Sequence, residues 1–205
     1  MKRFRFVLLV LSAAALASST VVPAQGSVSD GVRYAADGMV VRPTDYREWV
    51  YLSSGLGMTY GPAGQGANRP PNFDNVFVNR DSYRAFLKTG KWPDKTMFIL
   101  EVREAVENAS INNGGRTQGA IAFMEAAVKD QARFAATNGW GYFDFGQGAS
   151  LARTAAPLAS TTRCYQCHKA NTAVEQTFVQ FYPELMDVAR RLGTVRPDYD
   201  PSRKP

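Results

Sequence analysis

The sequence predicts an α+β fold: a small antiparallel β-sheet with short helices around it and a helical C-terminal part. Three observations predict it. Residues 96–103, TMFILEVR, put Phe98, Leu100 and Val102 on one face of a strand and Met97, Ile99 and Glu101 on the other. Residues 139–146, GWGYFDFG, are aromatic and β-like. Val174, Phe178, Phe181, Leu185 and Val188 recur at helical spacing, with Pro183 restarting the helix.

The elements follow in order. Residues 26–42 are small and polar and read as an extended arm. Residues 44–50, TDYREWV, read as a short helix with Thr44 as N-cap. Gly, Pro and Asn make 55–72 a loop, and Val76, Phe77 and Val78 place a strand over 73–78. Residues 81–88 form a short helix capped by Asp81 and ended by Gly90, and Trp92-Pro93-Asp94-Lys95 is a turn. The strand over 96–103 comes next, then a polar loop over 108–118. Residues 119–129 fit either type, since the alanines and Met124 suit a helix while Ile121 and Phe123 alternate as in a strand. Thr172-Ala173-Val174-Glu175 reads as a capping box opening the last helical segment.

The N-terminus has the build of a secretory signal peptide. Lys2, Arg3 and Arg5 precede an apolar run over 6–17, and Val22-Pro23-Ala24 offers small residues at a cleavage site. That run is shorter than the ~20 residues that span a bilayer, and no later stretch is long and apolar enough to do so. The divisions expected are therefore a signal peptide over 1–24, an N-terminal arm over 25–43, one cofactor-binding domain over 44–192 and a basic tail over 193–205. A chain of 205 residues, 45% of them hydrophobic, can bury one core of this kind. Removing the three basic residues of the signal from the net charge of +6 leaves +3, too mild a balance to indicate a nucleic-acid partner. Export places the protein in the periplasm, where the basic tail is solvated or helps dock an acidic redox partner.

The chain has two cysteines and one histidine, and all three fall in Cys164-Tyr165-Gln166-Cys167-His168. C-x-x-C-H is the attachment signature of c-type haem. Two thiols three residues apart on a helical turn can each add to one porphyrin vinyl group, and the adjacent imidazole then lies beneath the iron. A structural zinc site asks for about four such ligands, more than this chain owns. A thioredoxin-like pair belongs near a βαβ unit, which the element order lacks. A local disulfide would leave the placement of the histidine unexplained. The cofactor is thus one covalent haem c, held by Cys164 and Cys167, with His168 as the axial iron ligand. The sixth position cannot be histidine. Of Met39, Met58, Met97, Met124 and Met186, Met58 in its Gly-rich loop is the best candidate. A Met/His haem suits electron transfer, whereas an open position suits binding or activating a small molecule.

Several blocks in order resemble the cytochrome P-460 family: Tyr46-Arg47-Glu48-Trp49-Val50, Trp92-Pro93-Asp94, Gly139-Trp140-Gly141-Tyr142-Phe143, Cys164 through Asn171, and Phe178-Val179-Gln180-Phe181-Tyr182-Pro183. The family includes hydroxylamine-oxidising cytochromes and the related cytochromes c′-beta. The resemblance implies a homodimer and a five-coordinate haem with an open distal side. In the hydroxylamine-oxidising members a lysine bonds to the porphyrin edge. The alignment puts Leu100 at that position, and leucine cannot make the bond. Some active members carry a distal carboxylate on the next long segment. The alignment puts Ala126 there, with Glu125 beside it and turned to the other face if the segment is a strand. The distal pocket expected is apolar, lined by Leu100, Phe98, Phe73 and Met124, with no base. Such a pocket favours binding nitric oxide, as in the cytochromes c′-beta. A hydroxylamine or nitric oxide oxidoreductase is the alternative that would make the chain an enzyme, and a Met/His electron carrier is the third reading.

Overall fold

The computed structural model describes residues 30–60 and 70–202. The signal peptide with the start of the arm, half of the 55–72 loop and the last three residues of the tail lie outside them. Strand β1 is Val40–Val41, followed by a 3-10 turn over Tyr46–Glu48, then β2 (Val50–Leu56) and β3 (Asn72–Val78). Helix α1 (Arg80–Thr89) leads to the long strands β4 (Met97–Val106) and β5 (Thr117–Lys129), then β6 (Trp140–Gln147) and β7 (Thr154–Ala155). Helices α2 (Arg163–Asn171) and α3 (Pro183–Arg191) close the chain. The α+β fold is the one the sequence predicts.

Strands β2 to β6 pair with their sequence neighbours in one antiparallel sheet, order β2-β3-β4-β5-β6, and β1 pairs with β7. The alternation in β4 sorts the two faces as expected. Phe98 joins Val78, Phe86, Trp92, Trp140, Tyr142 and the helices in one core. Met97 and Ile99 join Tyr46, Phe77, Met124, Phe143 and Phe145 in the other. At roughly 2 kcal/mol per large apolar side chain, these two layers dominate the folding free energy. The 119–129 ambiguity resolves to strand, because both long edges of β5 are paired, to β4 and to β6.

Several local expectations change. Residues 44–50 make only a 3-10 turn whose N-cap, Asp45, gives no side-chain cap, and Val50 already pairs with Val78 in the sheet. The α1 helix begins one residue before Asp81, after Asn79, whose side chain accepts from the Met97 backbone N–H at 2.9 Å. Gly90 ends it in the left-handed region, φ 67°, where glycine carries no Cβ penalty. The capping box does not form. Thr172 ends α2, Glu175 sits at φ 51°, and no α-helix resumes until Pro183 takes the first position of α3. The tail is not purely solvated either. Val195 and Tyr199 pack on the core, and the Arg196 guanidinium donates to the Lys169 carbonyl at 2.8 Å. Among the described residues no helix is long and apolar enough to cross a membrane.

Candidate functional site

The site forms where α2 and the segment after it lie against the Phe98 face of the sheet. The C-x-x-C-H spacing spans one turn of α2, so Cys164, Cys167 and His168 share a face of the helix while Tyr165 enters the core. All three line a cavity of about 510 Å³, walled by Val76, Phe98, Leu100, Ala127 and Tyr142 from the sheet and by Phe178, Phe181 and Tyr182 from the chain beyond α2. Met58 and Tyr60 close one side, and Arg163 is the cation on its rim among the described residues.

His168 is held rigidly. Its ring meets Tyr142 at 4.4 Å and Phe178 at 4.5 Å between centroids. Nδ1 lies 2.8 Å from the Gln176 carbonyl oxygen. A carbonyl only accepts, so Nδ1 carries the proton and the Nε2 lone pair remains for a ligand. Burial pushes the imidazole down to about 4, against the smaller opposing pull of that carbonyl, and keeps it neutral. The thiols are free, and burial pushes that of Cys164 up. A reactive redox pair wants the opposite environment. Among the described residues no three His, Cys, Asp or Glu side chains gather to hold a metal ion. His168 can therefore serve iron only within a group that brings the rest of its own coordination. A flat apolar macrocycle fits such walls, two thiols and one free imidazole nitrogen.

The far wall differs from the expected one. Leu100 and Phe98 line the cavity, but Phe73 and Met124 do not. Met124 is fully buried in the opposite core, and Phe73 pairs with Arg103 on that same opposite face. The carboxylate expectation also reverses. In register, Leu100 lies opposite Glu125 while Ile99 lies opposite Ala126. Cross-strand partners share a face, so Glu125 stands beside Leu100 on the cavity wall. Asp74 joins it from β3. The pocket is apolar over most of its surface but is not without a base. Burial pushes Glu125 up, with the charges of Asp144 and Asp74 adding to it, and burial alone pushes Asp74 up to about 6.

The methionines separate cleanly. Met97 and Met124 fill one core and Met186 the other, while Met58 lines the cavity. Met58 rests against Gly55, where a Cβ would come within 2.0 Å of its sulfur. Asp74 escapes sequence reasoning, and Glu125 is assigned to the wrong face by it, because the cavity face of each depends on strand register. Glu125 does stand out in the sequence as a charged residue between the apolar Met124 and Ala126.

A family model described as cytochrome P-460 matches residues 43–179, about two thirds of the chain. The matched span runs from the first 3-10 turn through the cysteines and His168 to the turn that supports the imidazole. No curated protein matches the chain.

Proposed function

The chain belongs to the cytochrome P-460 family, which implies a haem cofactor, and from that premise we propose a c-type mono-haem cytochrome whose distal side is open to small uncharged ligands such as nitric oxide. Cys164 and Cys167 would hold the macrocycle through thioethers, and His168 Nε2 would supply the proximal iron ligand. When bound, the haem supplies an iron centre able to take a diatomic ligand or pass an electron. The observation that carries the reading is the cavity itself. An imidazole fixed by Gln176 shares the cavity with Val76, Phe98 and Leu100, with no second histidine and no lysine among the described lining residues. The protein's own part is to exclude water over that apolar wall and to hold the imidazole neutral. Export to the periplasm with cleavage after Ala24, a haem domain over 44–192, a periplasmic redox partner and a homodimer complete the proposal. The first rests on the N-terminal sequence and the homodimer on the resemblance.

An optical spectrum of the ferrous protein with and without nitric oxide tests it. A high-spin spectrum that shifts on adding the gas is expected. A low-spin spectrum indifferent to nitric oxide would overturn the open site and favour an electron carrier ligated by Met58. Denaturation in alkaline pyridine should show haem still attached, and Cys164→Ser with Cys167→Ser should release it.

A second reading has its own observation. Glu125 and Asp74 line the cavity beside Leu100, and burial raises both carboxyls toward neutral pH. Oxidation of hydroxylamine releases protons with its electrons, and a carboxylate so placed can take them. Steady-state oxidation of hydroxylamine by an artificial electron acceptor, lost in Glu125→Gln, would assign that activity. Turnover no faster than free haem would leave the protein a ligand binder.

A further inference from the structure

The Gln176 carbonyl that orients His168 does not belong to a helix or a strand. It sits in the tight turn Val174–Thr177, closed by a bridge between those two residues. The turn contains Glu175 at φ 51°, a left-handed conformation that a residue with a Cβ adopts only when its surroundings hold it there. Its side chain shows what holds it. Glu175 Oε2 accepts from Lys129 Nζ at 2.7 Å, and Oε1 accepts from the Trp92 backbone N–H at 3.3 Å. The same Lys129 ammonium donates to the Trp92 carbonyl at 2.7 Å. Trp92 Nε1 donates to Thr177 Oγ1 at 2.9 Å, and the Thr172 hydroxyl lies 2.6 Å from the His168 carbonyl oxygen and 2.9 Å from that of Glu175, with one proton to share between them. Lys129 is 8% exposed as a residue and closes the end of β5. A lysine this buried carries a desolvation cost that a surface turn would not require.

We propose that the Lys129–Glu175 ion pair is a positioning device for the proximal imidazole: it ties the 174–177 turn to the end of β5 and so fixes the Gln176 carbonyl against His168 Nδ1. The inference rests on the reading of His168 as the axial ligand. A hydrogen bond from Nδ1 to a fixed carbonyl makes the imidazole a stronger electron donor, which favours the ferric state and lowers the reduction potential. Lys129 and Glu175 are positioning residues; neither lines the cavity that holds His168.

The test uses the sign of a potential shift in the haem-loaded protein. Were the pair acting only as two charges through space, Lys129→Met would lower the potential and Glu175→Ala would raise it. As a positioning device, both substitutions loosen Gln176 and both raise the potential. A positive shift in Lys129→Met, restored by Lys129→Arg, is the expected result. A negative or absent shift overturns the proposal. Should Lys129→Met fail to fold, Glu175→Gly replaces it, since glycine suits φ 51° while the anchor is lost. Its readout is the iron–histidine stretching frequency, which is expected to fall, and an unchanged frequency overturns the proposal equally. Failure of the underlying reading looks different: His168→Ala would then leave the haem spectrum of the otherwise native protein unchanged.

Discussion

Glu101 and Glu125 stand on neighbouring strands of one sheet, the first fully buried and the second partly buried on the cavity wall, and their chemistry is opposite. Glu101 is 0% exposed on the Ile99 face. Burial alone would push its carboxyl up, but the hydrogen bonds from Arg103 and Tyr46, with the charges of Arg47 and Arg103, outweigh it and hold the carboxyl below its ordinary range. Arg103 Nε donates to it at 2.8 Å and Asn75 Nδ2 at 3.3 Å, while Tyr46 and Arg47 reach it from the 3-10 turn. Glu125, on the cavity face, has no such donors among the described residues: burial pushes its carboxyl up, and the charges of Asp144 and Asp74 add to it. The residue type is the same; the face chosen by register decides whether it is a structural anion or a group that can exchange protons. One carboxylate ties the N-terminal segment to the sheet, and the other is left free for the site.

The largest expected effect breaks the first half of that contrast. Glu101→Leu removes the acceptor shared by Tyr46, Arg47, Arg103 and Asn75, and leaves the Tyr46 hydroxyl and the Arg103 guanidinium facing an apolar side chain, while Asn75 keeps Gln118 at 2.7 Å. Breaking a buried pair in this way costs about 3 kcal/mol, since Arg47 is half exposed and can swing to water while Arg103 cannot do so freely. Chemical denaturation measures it. A loss under about 1 kcal/mol would show that the network is no more than a surface ion pair. The sign with pH follows from the lowered carboxyl. Its stabilisation is complete above the ordinary unfolded value, about 4.3, and disappears as pH falls through the lower folded value. Glu101→Leu should therefore flatten the acid limb of the stability curve.

This network also explains what the sequence showed and what it hid. The alternation of TMFILEVR was enough to place Glu101 opposite Phe98 and Leu100, because strand periodicity is a local property. The reason for the Tyr46-Arg47 pair was not legible, since its partner lies 54 or 55 residues away across the sheet. That Cys164, Cys167 and His168 would face one space was legible because C-x-x-C-H spans a single helical turn. Glu125 was misplaced by a single position, and a one-residue slip turns every side chain of a strand to the other face. Thr172-Ala173-Val174-Glu175 satisfied a local helix rule, yet Glu175 is engaged by Lys129, a partner 46 residues distant. Long-range polar pairing outcompeted the local cap.

A smaller effect sharpens the cavity half. Asp74 is pushed from 3.8 up to about 6 by burial, so the folded state binds more protons than the unfolded state between those values. Stability contributed by Asp74 is therefore present below about pH 4 and falls as pH rises to about 6. Asp74→Asn should remove that dependence. Above pH 6 it should stabilise by on the order of 1 kcal/mol, the full shift being discounted because the group is only partly buried. Thermal melts at pH 4 and pH 7 measure it. A variant less stable than the parent at pH 7 would mean that the carboxylate has a partner that favours its charge, and the cavity face would then resemble the Glu101 face after all.

The smallest expected effect on stability decides the most about the cavity. Gly55 is in β2 with unexceptional backbone, and a Cβ there would meet Met58 Sδ at 2.0 Å and Cγ at 2.6 Å. Those atoms are the end of a flexible side chain, so Gly55→Ala should displace Met58 and cost under about 1 kcal/mol, partly offset by the lower entropy of alanine in the unfolded chain. If Met58 stands off the iron, as the open-site reading holds, the ferrous spectrum and its response to nitric oxide are unchanged by that displacement. If Met58 is the sixth ligand, the same small push detaches it, and a low-spin spectrum becomes high-spin in a protein whose unfolding transition has barely moved. A nearly silent substitution thus separates an electron carrier from a ligand binder, because Met58 lines the cavity without belonging to either core.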